Sequence, residues 1–283
     1  MNEEASRSTA HVEYLRTPDN TRIALHRLGN PGNPKVLLVP GTFSNHTFWL
    51  GTRGIGFART LSDAGYEACV LDPRGHGLSD RPTKQQDWDI DDWARVDVPT
   101  ALRAIATAEE PAHIIGHSAG GAVILASLSA EPQLHALVRS ITTLGTPVPW
   151  LQPWRGVGAQ LIKAASQLLG RFPARLLRLG PEDELPHVMS QWMNWNIKGH
   201  WIGDDGTDYT TGFAHIHLPL LMIAGGADRF FAPPAACRGL FEMIGSPRKQ
   251  FEVFDGLDHV SMVVSKRARA EVWPRILAFL SES

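Results

Sequence analysis

The stretch Gly116-His117-Ser118-Ala119-Gly120 holds a serine in the spacing G-x-S-x-G. It follows the strand-like run 113–115 and precedes the helix-like run 121–125. Between a strand and a helix, two glycines permit the sharp, strained turn that exposes a serine hydroxyl at the edge of a sheet. The motif therefore predicts that Ser118 is a nucleophile, and a turn made of small residues is the alternative interpretation.

A serine hydroxyl is a weak nucleophile at neutral pH, so a base must take its proton and a third group must orient that base. His259 is the predicted base, because it lies in a loop between the last predicted strand and the last predicted helix. Asp228 is the predicted orienting acid, since it follows an apolar run at the same predicted sheet edge as Ser118, whereas Asp258 adjoins His259 and is poorly placed to reach its ring. A surface histidine and a helix N-cap are the alternative interpretations of His259 and Asp228.

Attack on a carbonyl creates an oxyanion, which backbone N–H groups stabilise. The amide of Ala119, at the start of the predicted helix, is one predicted donor. The second is expected from the loop Pro40-Gly41-Thr42-Phe43, where glycine permits close approach of the backbone, with Thr42 preferred and Phe43 second. Ordinary turn chemistry is the alternative interpretation of this Pro-Gly pair.

Short apolar runs alternate with amphipathic stretches along the chain, which is typical of strands buried on both faces and covered by helices. This pattern predicts an α/β fold with a mostly parallel central sheet. Strands are predicted at 22–27, 35–39, 67–71, 113–116, 140–144, 218–224 and 250–254. Helices are predicted at 56–64, 90–106, 120–129, 234–244 and 266–280.

The alternation stops after Thr146, where helical patterns at 157–169 and 186–196 replace the strands. We therefore expect a core domain of residues 1–146 and 218–283 with a helical cap of residues 147–217 inserted into it. The cap holds five of the nine Trp, which favours an apolar substrate pocket. The predicted substrate-contact residues are His117 from the elbow and Trp150, Met189, Trp192 and Trp195 from the cap. Packing of the cap onto the core is the alternative role for these aromatic residues.

Composition argues against several classes of protein. Lys and Arg total 27 against 29 Asp and Glu, so there is no basic excess to bind nucleic acid. The acidic N-terminus shows no secretory signal, and the uncharged run 111–130 contains Pro, His, Ser and Gly, so a cytoplasmic protein without integral membrane association is expected. Cys69 and Cys237 lie far apart and match no metal-ligand spacing, and the predicted chemistry requires no metal or organic cofactor. A homodimer is left open.

Taken with their order in the chain, Ser118, Asp228 and His259 make the sequence resemble the α/β-hydrolase superfamily, on its serine esterase and lipase side, over residues 20–282. The loop Arg74-Gly75-His76-Gly77-Leu78-Ser79 is similar to one that these proteins carry after an early strand, and its role is expected to be structural. Pro40 stands where a His commonly precedes the oxyanion-loop Gly, and no His-Gly-Gly-Gly stretch occurs, which argues against the hormone-sensitive-lipase branch.

The resemblance implies a serine hydrolase of carboxylic esters with hydrophobic, small to medium acyl groups. Serine rather than aspartate in the elbow disfavours the epoxide-hydrolase and dehalogenase branches. Amide, thioester and carbon–carbon bond hydrolysis remain alternatives, as does an inactive ligand receptor on the same fold. The amide alternative is a proline-iminopeptidase-like enzyme in which Glu182-Asp183-Glu184 holds a substrate amine, although a solvated acidic loop is the expected state of that triplet.

Overall fold

The computed structural model of the 283-residue chain describes residues 10–83, 86–148 and 155–283. Eight strands form one sheet in these residues. They are β1 (His11–Arg16), β2 (Arg22–Leu28), β3 (Lys35–Val39), β4 (Glu67–Asp72), β5 (Ala112–His117), β6 (Val138–Leu144), β7 (Leu220–Gly225) and β8 (Lys249–Phe254).

The strand order in the sheet is β1-β2-β4-β3-β5-β6-β7-β8. Strands β1, β2 and β4 pair antiparallel, while the pairs from β4 through β3 to β8 are all parallel. Strands β4, β5 and β7 are buried along their whole length, because helices cover both faces of the parallel part. In a parallel sheet the carboxyl ends of the strands meet at one edge, so the loops after β3, β5, β6, β7 and β8 lie near one another.

Helices connect and cover the strands, as parallel crossovers require. They are α1 (Thr47–Leu50), α2 (Phe57–Asp63), α3 (Ile90–Asp92), α4 (Val98–Ile105), α5 (Ala119–Ala130), α6 (Arg155–Leu169), α7 (Pro186–Lys198), α8 (Tyr209–Gly212), α9 (Pro234–Met243), α10 (Ser261–Val264) and α11 (Lys266–Glu282). None of the helices in the described residues has the length and hydropathy that a membrane span requires.

Two hydrophobic clusters fill the space on either side of the sheet. One cluster packs α2 and α11 against the sheet through Phe57 and Trp273. The other packs α4 and α5 against the opposite face and continues without a break into the inserted segment, where it includes Trp195 and Trp201. The second half of the insertion therefore shares its core with the sheet.

The predicted α/β architecture and its mostly parallel sheet are confirmed, and each of β2 to β8 overlaps a predicted strand. The first strand, β1, was not predicted, because it lies at the sheet edge and has only half-buried or exposed residues. The helix predicted at 90–106 is divided into α3, a π-helical turn at Trp93–Asp97, and α4. Pro99 at the start of α4 has no N–H to donate to the preceding turn, which accounts for the irregular turn there.

Candidate active site

The turn between β5 and α5 has the backbone geometry predicted for a nucleophile elbow. Ser118 occupies it with φ of 54° and ψ of −124°, in the region that L-residues rarely adopt. Its N–H donates to the Leu144 carbonyl at 2.8 Å, which ties the elbow to the end of β6. A Cβ at Gly116 would lie 2.5 Å from the Gly121 nitrogen, and one at Gly120 would lie 2.4 Å from the Val39 carbonyl oxygen. Both glycines are therefore required for close packing of strand, turn and helix.

Asp228 and His259 come together at the same edge of the sheet. Asp228 follows β7 and His259 lies between β8 and α10, and the distance from His259 Nδ1 to Asp228 Oδ2 is 2.6 Å. The carboxylate of Asp228 also accepts the N–H groups of Phe230, Phe231 and Ala232, at 3.0 to 3.3 Å. Burial raises the pKa of Asp228, but the hydrogen bond and charge of His259, together with these N–H groups, outweigh burial and lower it. Asp228 is therefore held as a carboxylate that orients the ring.

His117 was predicted to contact substrate, but the structure gives it an internal role. It is buried, its Nε2 lies 2.8 Å from the His259 carbonyl oxygen, and the two rings are 4.7 Å apart. The expectation is corrected because His117 faces the loop that carries His259 and not an open pocket. Burial and the nearby His259 lower the pKa of His117 to about 3, so its ring stays neutral. A neutral ring can donate its Nε2–H to that carbonyl and hold the loop beside Ser118.

Two residues after β6 contribute to the site without having been predicted. Gly145 adopts φ of 59°, and a Cβ there would lie 3.1 Å from His259 Nδ1. Thr146 Oγ1 donates to the Ser118 carbonyl at 2.9 Å. Glycine at the end of a buried strand was the available signal for Gly145, since it often marks a close approach of another group.

The loop after β3 lies against the elbow, as the oxyanion prediction requires. A Cβ at Gly41 would lie 3.0 Å from Ser118 Cβ. In the described residues the Thr42 N–H has no hydrogen-bond acceptor, whereas the Phe43 N–H donates to Glu184 Oε2 at 3.1 Å. Ala119 is the first residue of α5, so its N–H has no acceptor within the helix. The amides of Thr42 and Ala119 are thus the two that remain for an oxyanion, and Phe43 has another partner.

The acidic triplet of the cap is not the solvated loop that was expected. Glu184 is fully buried, and its Oε2 lies 3.3 Å from His76 Nε2 as well as accepting the Phe43 N–H. Glu182 accepts hydrogen bonds from Asn45 at 2.7 Å and from the Gly77 N–H at 3.1 Å. Glu184 also forms an antiparallel β-bridge with Phe172. The carboxylates of Glu182 and Glu184 therefore connect the cap to the core loops.

The cap also fixes the backbone of Phe43 from two sides. Phe43 has φ of 63°, its N–H donates to Glu184, and its carbonyl accepts the Glu182 N–H at 3.1 Å. Burial lowers the pKa of the adjacent His76, but the charge and hydrogen bond of Glu184, together with the charge of Glu182 and the Arg74 carbonyl, outweigh burial and raise it, which favours the protonated ring beside Glu184. This pair therefore holds a strained residue next to the Thr42 amide.

The residues of the cap that were predicted to contact substrate differ in burial. Trp195 is buried, stacks on Trp201 at 5.3 Å and donates its Nε1–H to the Ile202 carbonyl, so it forms part of the cap core and not a substrate wall. Met189 is likewise buried. Trp192 is half-buried and packs 6.1 Å from Trp195. Trp150 lies outside the described residues. For Trp195 and Met189 the substrate-contact prediction is corrected, because apolar side chains at this helical spacing pack the cap onto the core.

An aromatic pair that sequence reasoning missed lies beside the candidate base. Phe231 stacks on the His259 ring at 4.9 Å, and Phe230 packs edge-on against Phe231 at 5.1 Å. Both phenyl rings are exposed. Large apolar side chains exposed next to a candidate base are typical of surfaces that contact apolar ligands.

Within residues 10–83, 86–148 and 155–283, two groups of side chains have the composition of a metal site. His26, His46 and Asp72 place their ligand atoms within 4.8 Å of one another, and so do Asp89, Asp91 and Asp204. In the first group, Asp72 Oδ2 lies 2.8 Å from a nitrogen of each ring, and His26 and His46 stack at 3.9 Å. The buried carboxylate is satisfied by these hydrogen bonds, so the group is a closed network next to the oxyanion loop.

The chain matches one family model and shorter stretches of curated proteins. The model is described as "Serine aminopeptidase, S33" and covers residues 49–263. The chain is 29% identical over 139 residues to "Probable lipase C16A3.12c" of Schizosaccharomyces pombe, covering 43% of this chain and 31% of that protein. It is 33% identical over 113 residues to "AB hydrolase superfamily protein YfhM" of Bacillus subtilis, covering 39% and 37%. The match thus spans about a third of the length of each curated relative.

Solved structures share the fold over the whole chain. An esterase from Exiguobacterium antarcticum superposes with a TM-score of 0.72 at 17% identity, covering 96% of this chain and 100% of that one. A likeness at this level of identity establishes the fold alone.

Proposed function

This chain belongs to the serine aminopeptidase S33 family of α/β-hydrolases, and we propose that it hydrolyses carboxylic esters of hydrophobic, small to medium acyl groups. The observation that carries the proposal is the 2.6 Å contact between His259 Nδ1 and Asp228 Oδ2 beside Ser118 in its positive-φ turn. A serine, a base and an orienting carboxylate are the parts that acyl transfer to serine requires. The division into a core of residues 1–146 and 218–283 and a cap of residues 147–217 is part of the proposal.

In the proposed mechanism Ser118 Oγ attacks the ester carbonyl while His259 Nε2 accepts its proton. Asp228 holds the ring in the tautomer that leaves Nε2 free and stabilises the imidazolium that forms. The amides of Ala119 and Thr42 donate to the tetrahedral oxyanion. His259 then protonates the departing alcohol, which leaves an acyl group on Ser118, and later activates the water that removes this group.

The preference for an apolar acyl group rests on the surroundings of His259. Phe231 stacks on its ring, and the exposed Phe230 extends the apolar surface outward. Each buried methylene of a substrate contributes about 0.8 kcal/mol, so kcat/KM is expected to rise with chain length until the acyl group covers the apolar surface beside His259. Beyond that length it is expected to fall abruptly.

The amide alternative was based on acidic side chains that could bind a substrate amine, and the contacts of these side chains argue against it. Both Glu182 and Glu184 already have partners in the core loops, so neither is open to a substrate amine. The family description keeps aminoacyl amides in the test as competing substrates.

The proposal is tested on the purified chain with p-nitrophenyl esters from acetyl to palmitoyl, alongside matched thioesters and aminoacyl amides. We expect a maximum at intermediate acyl length and stoichiometric labelling of Ser118 by a fluorophosphonate. Higher kcat/KM for the aminoacyl amides would replace the ester proposal with the amidase one. Absence of labelling would favour the ligand receptor.

A further inference from the structure

The outer part of the cap presents aliphatic side chains to solvent over a long stretch of chain. Leu168 is 88% exposed and Leu176 is 81% exposed. The other exposed aliphatic residues of this stretch are Val157, Leu161, Leu169, Leu177 and Leu179. We call the residues between Val157 and Leu179 that carry these side chains the outer cap face. Exposed apolar side chains that are grouped in one segment mark a contact surface more often than scattered ones do.

Helix α6 shows that this exposure belongs to one side of the cap. Its inner side packs on α7, where Ser166 is buried and Gln167 Nε2 donates to Ser190 Oγ at 3.5 Å. Val157, Leu161 and Leu168 are separated by four and seven positions, so they share the opposite side of the helix. An amphipathic helix normally buries its apolar side, but here that side is the one left open.

The outer cap face is also basic. Residues 156–180 contain no Asp or Glu, and their exposed charged side chains are Arg171, Arg175 and Arg178, whereas the whole chain has a net charge of −2. Arg171 lies 3.5 Å from Asp183, and the side chains of Arg175 and Arg178 have no carboxylate partner in the described part of the chain. Guanidinium groups next to exposed leucines match an acyl layer bounded by phosphate groups.

We propose that the outer cap face binds the surface of an anionic phospholipid layer. The leucines would enter the boundary between headgroups and acyl chains, while Arg175 and Arg178 contact lipid phosphates. A second copy of this chain fits less well, because a two-fold dimer would bring the arginines of one face against those of the other.

The position of this face connects it to the proposed site. Phe172, within the same segment, packs against Phe43 at 5.4 Å, and a Cβ at Gly180 would lie 2.1 Å from the Phe43 carbonyl oxygen. A lipid surface bound there would adjoin the oxyanion loop. The binding itself does not depend on hydrolysis, so it is measured on the inactive Ser118→Ala variant as well as on the native chain.

The test is sedimentation of the full chain with phosphatidylcholine vesicles that contain or lack phosphatidylglycerol. We expect binding only with phosphatidylglycerol and release at high salt, since screening weakens surface charge pairs. The double variants Leu168→Ser/Leu176→Ser and Arg175→Gln/Arg178→Gln are each expected to lower the partition coefficient about tenfold or more. Val253→Ser, an exposed position on β8, is the matched control and should bind like the native chain.

Three results would overturn the proposal. Equal binding with and without phosphatidylglycerol would show that lipid charge does not contribute to binding. Unchanged binding by both double variants would show that the outer cap face is not the surface that binds the vesicles. A concentration-dependent dimer seen by light scattering and abolished by Leu168→Ser/Leu176→Ser would assign the face to a second copy. Thermal unfolding of each variant shows whether it is folded, and vesicle binding is read independently of ester hydrolysis.

Discussion

The edge of the sheet that carries Ser118 and the cap that covers it are held together in different ways. At the sheet edge, backbone groups at strand ends hold Ser118, as in the hydrogen bond from its N–H to the Leu144 carbonyl. In the cap, side-chain contacts stabilise the segment, and these include the Trp195–Trp201 stack and the buried Glu184. Backbone geometry follows from the fold, whereas side-chain networks depend on each residue, so the chemistry is expected to be more robust than the coupling of cap to core.

The sharpest way to break the catalytic side of this comparison is Ser118→Ala. Removal of a triad nucleophile lowers kcat by roughly 10⁵ to 10⁶. The free energy of unfolding should stay within about 0.5 kcal/mol, because the hydroxyl contributes little to the core. Steady-state kinetics and denaturant unfolding of the same preparation measure both. Hydrolysis within tenfold of the native rate, in protein free of contaminating hydrolase, would contradict the proposed role of Ser118 as nucleophile.

Asp228→Asn is expected to have the next largest effect, a loss of about 10⁴ in kcat by analogy with other triads. Asparagine keeps the shape but favours the wrong tautomer of His259. Asp258→Asn is the control, since Asp258 accepts the Val260 and Ser261 N–H groups and has no hydrogen bond to the His259 ring. A larger loss for Asp258→Asn than for Asp228→Asn would reassign the acid.

Glu184→Gln tests the contact between the cap and the core loops. The change removes the charge that pairs with His76 and weakens the hydrogen bond to the Phe43 N–H, so the Thr42 amide is held less firmly. A charge-assisted hydrogen bond contributes about 1.5 to 3 kcal/mol, which corresponds to roughly a tenfold to hundredfold loss of kcat. KM should change little, because the oxyanion exists only after attack.

Asp183→Asn provides the comparison for that variant. Asp183 belongs to the same acidic triplet, but its carboxylate accepts the Arg175 N–H at 3.0 Å and has no hydrogen bond to Phe43. We expect its kcat to stay near the native value. Equal losses in kcat for the two variants would mean that the triplet supports the cap in general and not the oxyanion loop.

The pH dependence of kcat/KM shows how many groups gain a proton as activity is lost. The lowered pKa of Asp228 means that its contribution to stability is present above the unfolded value of about 3.9 and is lost only as pH falls through the lower folded value. His117, with a pKa of about 3, also stays neutral above pH 4. Neither group therefore gains a proton above pH 4, and kcat/KM on the acid side should fall about tenfold for each pH unit, as expected when a single protonation removes activity. A fall of about a hundredfold for each pH unit would show that a second group gains a proton in the same range.

Local patterns were sufficient for the parts of the site that follow strand ends. The elbow around Ser118, the late positions of Asp228 and His259, and the glycine of the loop after β3 were predicted from residue type and spacing. These features work because a parallel sheet places every carboxyl end at one edge. The roles of the cap side chains could not be predicted, because aromatic residues at helical spacing form the same pattern whether they face a ligand or, like Trp195, are buried in a core.

Residue type, spacing and the periodicity of burial were enough to predict the parallel strands, the elbow and the chain order of Ser118, Asp228 and His259. The contacts of His117 with the loop of His259 and of Glu184 with Phe43 became visible only in the folded chain, because these pairs are 142 and 141 positions apart. No local pattern encodes such pairs. A buried carboxylate and a solvated one have the same residue type, and only packing removes water from one of them.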